Sequence, residues 1–130
     1  MLQSRILFKG LQCLKVRGKL SYSTCSLNPI EDEAVVASAL KQFKGCLELE
    51  EVSLPGFKFR SGVTQWKVMT EKLEKTDEEG GYFQEFATFQ DVPAEYNKRR
   101  CLKDTMFSSF YDPETVLSQL PKCLRVLPHD

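Results

Sequence analysis

The residues in this sequence with the greatest capacity for covalent chemistry are its five cysteines. They are Cys13, Cys25, Cys46, Cys101 and Cys123. No two have the C-x-x-C spacing of a metal or redox site, and His129 is the only histidine, so the sequence predicts no metal centre. An odd number of cysteines without a secretory signal indicates reduced, intracellular thiols. A reduced thiol in a suitable position is a candidate nucleophile.

Cys25 has the most suitable position for a nucleophile. It follows the strand-like run 19–23 and precedes a helical pattern, so a strand ends and a tight loop begins beside it. Ligands of open α/β sheets bind outside the carboxyl ends of strands. The positive end of the following helix would favour the thiolate. The alternative is a small thiol packed in a turn, a common fate of cysteine, and position alone leaves both interpretations open.

The helix after Cys25 has the clearest local signature in the chain. Asn28 is a typical N-cap, Pro29 suits the first helical position, and Glu31 completes a capping-box pattern. An apolar stripe repeats at helical spacing after that start, at Val36, Ala39, Leu40 and Phe43. Gly45 supplies a stop. These features predict a helix over residues 29–44.

Helical and strand-like patterns alternate along the rest of the chain, which predicts an α/β fold. Helical spacing covers residues 2–15 and, after Asp112 as cap, residues 112–120. The strand-like runs are 19–23, 46–52, 64–68 and 123–128. The charged stretch at about 71–90, which contains Gly80-Gly81, predicts a mobile insertion.

Length and composition are those of one ordinary globular domain. The chain has 130 residues, of which 42% are hydrophobic and 28% charged, and its net charge is zero. No apolar run is long enough to span a bilayer, and the first residues lack a secretory apolar core. Residues 1–24 are basic without any acid, which predicts a solvated helix face or, alternatively, an electrostatic footprint for RNA.

A longer stretch around Cys25 resembles a known motif. The run Tyr22-Ser23-Thr24-Cys25-Ser26-Leu27-Asn28-Pro29-Ile30-Glu31-Asp32-Glu33-Ala34-Val35-Val36 is similar to the Thr-Cys-Ser motif and following helix of the Sun-domain RNA (cytosine-5) methyltransferases. Further segments resemble the eukaryotic tRNA (cytosine-5) methyltransferase branch of that family. They are Gly62-Val63-Thr64-Gln65-Trp66-Lys67-Val68-Met69, Thr105-Met106-Phe107 and Arg125-Val126-Leu127-Pro128-His129. The similarity covers nearly the whole chain.

The resemblance implies a fold, a reaction and a place in the cell. Residues 1–130 would be the C-terminal part of the catalytic domain, with a Rossmann-like S-adenosylmethionine-dependent methyltransferase fold, an incomplete sheet and no second domain. Cys25 would attack carbon 6 of a cytosine in RNA, for which tRNA is the expected substrate. S-adenosylmethionine would be the cofactor. The intact protein would be a monomer in the nucleus or nucleolus, with no membrane or metal partner.

The departures from the family are equally specific. The family's Pro-Gly-Gly loop, its acidic cofactor ligands and its second cysteine, in a Pro-Cys motif, precede the Thr-Cys-Ser motif, and this chain lacks them. We therefore expect no cofactor-binding residues in this chain. The family's last strand would also be missing between runs 19–23 and 46–52, which would leave unpaired strand edges. The 130-residue chain alone is expected to be unstable or molten, and inactive.

Four side chains are candidates for contact with RNA. Trp66 could stack on an unpaired base, although packing in a core is its commoner fate. The run Lys98-Arg99-Arg100 could bind phosphates, or it could be an ordinary solvated surface. The other four cysteines match no catalytic position of the family and are interpreted as structural.

Two other classes of function are alternatives to an RNA methyltransferase. One is a non-enzymatic remnant of a methyltransferase whose surface binds RNA or a protein partner. The other is a thiol hydrolase that uses Cys25, which would require a basic partner for the thiol. His129 is the only histidine and lies in the C-terminal tail, so the hydrolase is disfavoured.

Overall fold

The computed structural model describes residues 2–72 and 83–127, and its first layer is a pair of helices. Helix α1 (Leu2–Gln12) packs on helix α2 (Glu33–Gln42). Buried Leu7 meets Val35 and Ala39 at this contact. The predicted helix 2–15 is therefore confirmed as far as Gln12. The chain then turns, with Arg17 at a positive φ of 61° and the Gly18 N–H donating to the Lys15 carbonyl at 2.8 Å.

Helix α2 begins later than the sequence predicts. The predicted N-cap at Asn28 is wrong, because the N-cap of α2 is Asp32, which makes no side-chain cap bond. Asn28 Oδ1 instead accepts the N–H of Ile30 at 3.1 Å, within the turn that precedes the helix. Residues 29–32 form turns instead of regular helix, with the Ala34 N–H donating to the carbonyl of Pro29. The predicted start at residue 29 is thus wrong by four residues, since α2 begins at Glu33. The predicted stop is sound, because Gly45 has a positive φ of 79° just after the helix.

The strands differ most from the prediction. Strand β1 (Arg60–Ser61) pairs antiparallel with β4 (Leu124–Arg125), and β2 (Val68–Glu71) pairs antiparallel with β3 (Phe83–Phe86). β4 confirms part of the strand expected over 123–128, and β2 begins where the run 64–68 ends.

The predicted strands 19–23 and 46–52 are wrong for the described residues, because both segments lie outside the sheets. They are held by side chains: Lys19 Nζ lies 2.6 Å from Glu50 Oε1. Gln119 Oε1 accepts the Leu49 N–H, and Lys122 Nζ donates to the Leu49 carbonyl. Extended backbone without a neighbouring strand cannot form a ladder. The described residues are therefore a mixed assembly of helices and two small sheets, and the Rossmann-like sheet stays an expectation of the family.

The β2–β3 hairpin corrects the predicted insertion at 71–90. Residues 83–86 are β3, and Phe89–Asp91 form a short 3-10 helix. Val68 pairs with Phe86, and both side chains are buried. Phe86 also makes an edge contact with Tyr96 of helix α3 (Ala94–Arg100), at 5.5 Å between ring centroids. The burial of Val68 and Phe86 therefore orders this part of the segment, although its composition is charged. Residues 73–82 lie outside the described residues.

The predicted helix 112–120 is a turn followed by a 3-10 helix, Leu117–Lys122. Asp112 acts as the expected cap, because its Oδ1 accepts the N–H and the hydroxyl of Thr115. These bonds to the ionised carboxylate lower the pKa of Asp112. Pro121 lies within the 3-10 helix, where its missing N–H limits regular helix formation.

Tyr111 joins the central core to three segments of backbone. Its buried ring packs against Trp66, and its hydroxyl lies within hydrogen-bond distance of the Thr105 carbonyl, the Ala34 carbonyl and Ser38 Oγ. Burial is the main cause that raises the pKa of Tyr111 to about 12, so the hydroxyl stays protonated at neutral pH.

We predict that Tyr111→Phe destabilises the chain by about 1–3 kcal/mol, because buried carbonyls and Ser38 lose their partner. Because the 130-residue chain alone is expected to be unstable, urea-dependent proteolysis of this segment within the intact protein, mapped by mass spectrometry, measures this loss. Tyr22→Phe is the matched control, since it removes one bond, to the Glu31 carbonyl, at a less buried position. An effect of Tyr111→Phe no larger than that of Tyr22→Phe would contradict the prediction.

Candidate active site

Cys25 lies exposed at the bend of a loop that we call the Cys25 loop, residues 24–32. Thr24 Oγ1 donates to Asp32 Oδ1 at 2.5 Å and accepts the N–H of Ser26 at 3.1 Å. Ser26 Oγ in turn accepts the N–H of Asn28 at 3.0 Å. The thiol is therefore presented to solvent from a loop whose flanking residues are joined to one another by hydrogen bonds.

The far end of the Cys25 loop leads into a buried ion pair. The side chain of Glu33, the first residue of α2, is only 1% exposed. Arg125 of β4 donates from Nε to Glu33 Oε1 at 2.7 Å and from Nη2 to Glu33 Oε2. The bond to Glu33 is the main cause that raises the pKa of Arg125, so the guanidinium stays charged. A fork-to-fork pair of this kind satisfies a buried carboxylate that would otherwise be very unfavourable.

The ion pair also fixes two backbone segments. Arg125 Nη1 donates to the Leu27 carbonyl in the Cys25 loop at 2.9 Å. Glu33 Oε1 accepts the N–H of Val63 at 3.0 Å. Gly62 makes this approach possible: a Cβ there would lie 2.4 Å from the Leu120 carbonyl oxygen and 2.9 Å from the Cβ of Cys123. Any side chain at that position would therefore displace the backbone that bonds Glu33.

Asp32 is the second acid near Arg125. Its Oδ2 lies 3.8 Å from Arg125 Nη2, which is an ion pair but too long for a hydrogen bond. Burial is the main cause that raises the pKa of Asp32, with the neighbouring Glu33 adding to it and the bond from Thr24 opposing it. Burial thus disfavours the ionised form of Asp32. Glu33, by contrast, is the acid that the fold surrounds with hydrogen-bond donors.

The sequence-based candidates for RNA contact are separated by the structure. Trp66 is buried, 8% exposed, and its Nε1 donates to the Met106 carbonyl at 2.8 Å. This favours the packing alternative and removes Trp66 as a stacking platform. Lys98, Arg99 and Arg100 form the exposed last turn of α3, on a different element from the Cys25 loop. Arg100 pairs with Glu71 at 3.1 Å.

The remaining cysteines lie in two kinds of environment. Cys13, Cys46 and Cys101 are exposed, while Cys123 is partly buried and packs against the central core. Burial, with the nearby Glu33 carboxylate, raises the pKa of Cys123 to about 11. Within residues 2–72 and 83–127 no group of three or more histidine, cysteine or acidic side chains is placed to hold a metal ion. The same residues contain no helix long and apolar enough to cross a membrane.

Arg125 is the site residue that local sequence patterns missed. Its partner Glu33 is 92 positions away, so no helical or strand periodicity relates the two. In the sequence, Arg125 stands out only as part of a segment of family resemblance. Glu33 stands out only as one of several acids that favour a helix start.

Comparison with known proteins identifies the class of protein to which this arrangement belongs: it is part of an RNA methyltransferase. The family described as 16S rRNA methyltransferase RsmB/F matches residues 1–89. The chain belongs to this family of RNA (cytosine-5) methyltransferases, as a fragment of the catalytic domain.

Three curated relatives are similar to the chain. The tRNA (cytosine(34)-C(5))-methyltransferase of Drosophila melanogaster is 40% identical over 98% of this chain and 16% of the relative. The multisite-specific tRNA:(cytosine-C(5))-methyltransferase trm4b of Schizosaccharomyces pombe is 41% identical over 98% of this chain and 17% of the relative. The multisite-specific tRNA:(cytosine-C(5))-methyltransferase of Saccharomyces cerevisiae is 41% identical over 78% of this chain and 15% of the relative. The chain thus spans about a sixth of the length of these relatives. No solved structure matches significantly.

We predict that iodoacetamide modifies Cys25 much faster than Cys123 in the folded chain. Cys123 has a pKa of about 11, against an ordinary thiol value of 9.0, so it is less often a thiolate and is also less accessible. Because its folded pKa is raised, Cys123 contributes stability that is present below pH 9.0 and is lost as the pH rises towards 11.

Peptide mapping by mass spectrometry, with exposed Cys13 as internal reference, measures the alkylation rates. In concentrated urea the difference between Cys25 and Cys123 should largely disappear. Equal rates without urea would contradict the packing described around Cys123.

Proposed function

We propose that this chain is the nucleophile-bearing part of an S-adenosylmethionine-dependent tRNA (cytosine-5) methyltransferase, with Cys25 as the nucleophile. The observation that carries the proposal is the exposed Cys25 thiol on a hydrogen-bonded loop, within the Thr-Cys-Ser motif of a chain that belongs to the family. The names of the relatives support tRNA as the substrate.

Carbon 5 of cytosine is a weak nucleophile, and the role of Cys25 is to change that. Its thiolate adds to carbon 6, the ring loses its aromaticity, and carbon 5 gains the electron density of an enamine. S-adenosylmethionine, when bound, supplies the methyl group that carbon 5 takes up. Removal of the carbon-5 proton then returns electrons to the ring and expels the Cys25 thiolate. The base must be unstacked for the thiol to reach it.

The described residues fit the thiol chemistry better than cofactor binding. The polar groups around Cys25 are occupied by each other: Thr24 bonds Asp32, Asn28 Oδ1 bonds the Ile30 N–H, and Arg125 bonds Glu33. We therefore assign no cofactor contact to this chain, and no residue is assigned as the acceptor of the carbon-5 proton.

Exposed cations on elements other than the Cys25 loop support an RNA partner. Lys98 and Arg99 are exposed cations on the last turn of α3 and can bind phosphates. Basic helix α1, which carries Arg5 and Lys9 and no acid in its first turn, lies beside α2. A monomeric enzyme of the nucleus or nucleolus remains our proposal for the intact protein.

A second candidate function is a non-enzymatic remnant that binds RNA or a protein. The observation that favours it is a set of exposed apolar side chains close together in the sequence, at Val52, Leu54, Phe57 and Phe59. They would give such a remnant a surface for a partner. Methyl transfer by a chimera that contains this chain within a relative distinguishes the two candidates.

We predict that Cys25→Ala abolishes methyl transfer when this chain replaces the matching segment of the Drosophila relative. The expected loss exceeds about a thousandfold, because the covalent route to the activated ring is removed. Transfer of tritiated methyl from S-adenosylmethionine to unmodified tRNA measures it. RNA that contains 5-azacytidine should form a covalent adduct whose protein peptide carries Cys25.

Cys13→Ala is the matched control, since it removes another exposed thiol outside the motif. It should leave both turnover and the adduct intact. The 130-residue chain by itself is expected to give no turnover in the same assay. Turnover by the Cys25→Ala chimera, or an adduct that maps to another residue, would overturn the assignment of Cys25.

A further inference from the structure

Arg125 has no part in the chemistry proposed above, yet it bonds the middle of the Cys25 loop and the residue that follows the loop. Its Nη1 holds the Leu27 carbonyl, two residues after the thiol, at 2.9 Å. Its Nε and Nη2 hold the carboxylate of Glu33, the residue that starts α2. One guanidinium therefore spans the loop from the nucleophile's side to the helix that follows.

Burial makes this a built structural element and not a surface contact. The side chain of Arg125 is 15% exposed and that of Glu33 is 1% exposed. Each guanidinium nitrogen already donates to a protein oxygen, which leaves the group poorly placed to bind an RNA phosphate. The planar fork of arginine satisfies the carboxylate and the carbonyl together, which the single ammonium of lysine cannot do.

Other bonds hold the two ends of the Cys25 loop, so the Arg125 contact is the one that constrains the middle of the loop from outside. Thr24 and Asp32 tie together the two ends of the loop, and Tyr22 donates to the Glu31 carbonyl at 2.7 Å. Ile30 packs against the core cluster of Val68, Phe86 and Phe107. The Leu27 carbonyl, two residues after Cys25, is held from outside the loop by Arg125.

We propose that Arg125 is a positioning residue of the methyltransferase: by clamping the Leu27 carbonyl to Glu33, it sets the direction in which the Cys25 thiol meets the cytosine ring. This inference rests on the proposed function of Cys25. Positioning of a reacting group within about an ångström can change a rate by about a hundredfold. The buried pair also makes β4, at the other end of the chain, part of the active site.

The test uses the chimera with the Drosophila relative, in which Arg125→Lys keeps the charge and removes the fork. Hydrogen–deuterium exchange followed by mass spectrometry should show residues 24–32 exchanging several-fold faster, about fivefold or more, while α2 exchange is unchanged. In steady-state assays, kcat should fall by about ten- to a hundredfold, while the KM for tRNA changes by less than about twofold. The rate of 5-azacytidine adduct formation should fall in parallel.

Arg60→Lys, at an exposed position of β1, is the matched control and should leave exchange and kinetics unchanged. Unchanged hydrogen exchange in α1 and α2 of Arg125→Lys shows that the core is intact. If residues 24–32 do not exchange faster in Arg125→Lys, the positioning role is overturned. It is also overturned if they exchange faster while kcat stays unchanged. A rise in KM with constant kcat also overturns it, because that pattern belongs to an RNA-binding arginine.

Failure of the proposed function gives a different result. If Cys25→Ala retains turnover, Cys25 is not the nucleophile, whatever Arg125→Lys does. If Cys25→Ala is inactive and Arg125→Lys behaves like the Arg60→Lys control, the function stands and the positioning role fails.

Discussion

The burial of the Glu33 carboxylate is the constraint on which the rest of this structure depends. A buried charge is very unfavourable unless donors surround it. Arg125 provides two of those donors and the Val63 N–H provides a third. The last strand, the start of α2 and the segment after β1 must therefore meet at one point. Gly62 leaves room for that meeting, because no side chain fits between it and the Leu120 carbonyl.

The segments that carried the family resemblance acquire a common physical role in the structure. The Thr-Cys-Ser run forms the exposed loop, and Gly62 with Val63 reaches Glu33. The Thr105 carbonyl accepts a hydrogen bond from the hydroxyl of Tyr111, and the Met106 carbonyl accepts one from the indole N–H of Trp66. These side chains fill the core beneath α2. Motifs distant in sequence thus meet at the start of α2, and Arg125 connects that point to the Leu27 carbonyl in the Cys25 loop.

Local patterns in the sequence predict the elements that local interactions determine. The α1 and α2 helices, the Gly45 stop and the Asp112 cap all depend on residues within a few positions of one another. Pairing between distant segments is what the patterns missed. Runs 19–23 and 46–52 have strand-like composition but no adjacent strand among the described residues, and the charged stretch before Phe83 concealed β3. Arg125 escaped notice because its partner is distant in sequence, whereas the burial of Trp66 is the commoner fate that its residue type predicts.

The most direct test of this account is a double-mutant cycle on the buried pair, with Glu33→Leu, Arg125→Met and the double variant. Because the 130-residue chain alone is expected to be unstable, the variants are made in the chimera with the Drosophila relative, and urea-dependent proteolysis of this segment, mapped by mass spectrometry, gives the free energies. Each single substitution leaves one buried charge without its partner and should cost about 3–5 kcal/mol, whereas the double variant should cost clearly less than the sum. A double variant that folds where a single variant does not would show the same coupling. Costs that add within about 0.5 kcal/mol would contradict the account, because Glu33 and Arg125 would then act independently.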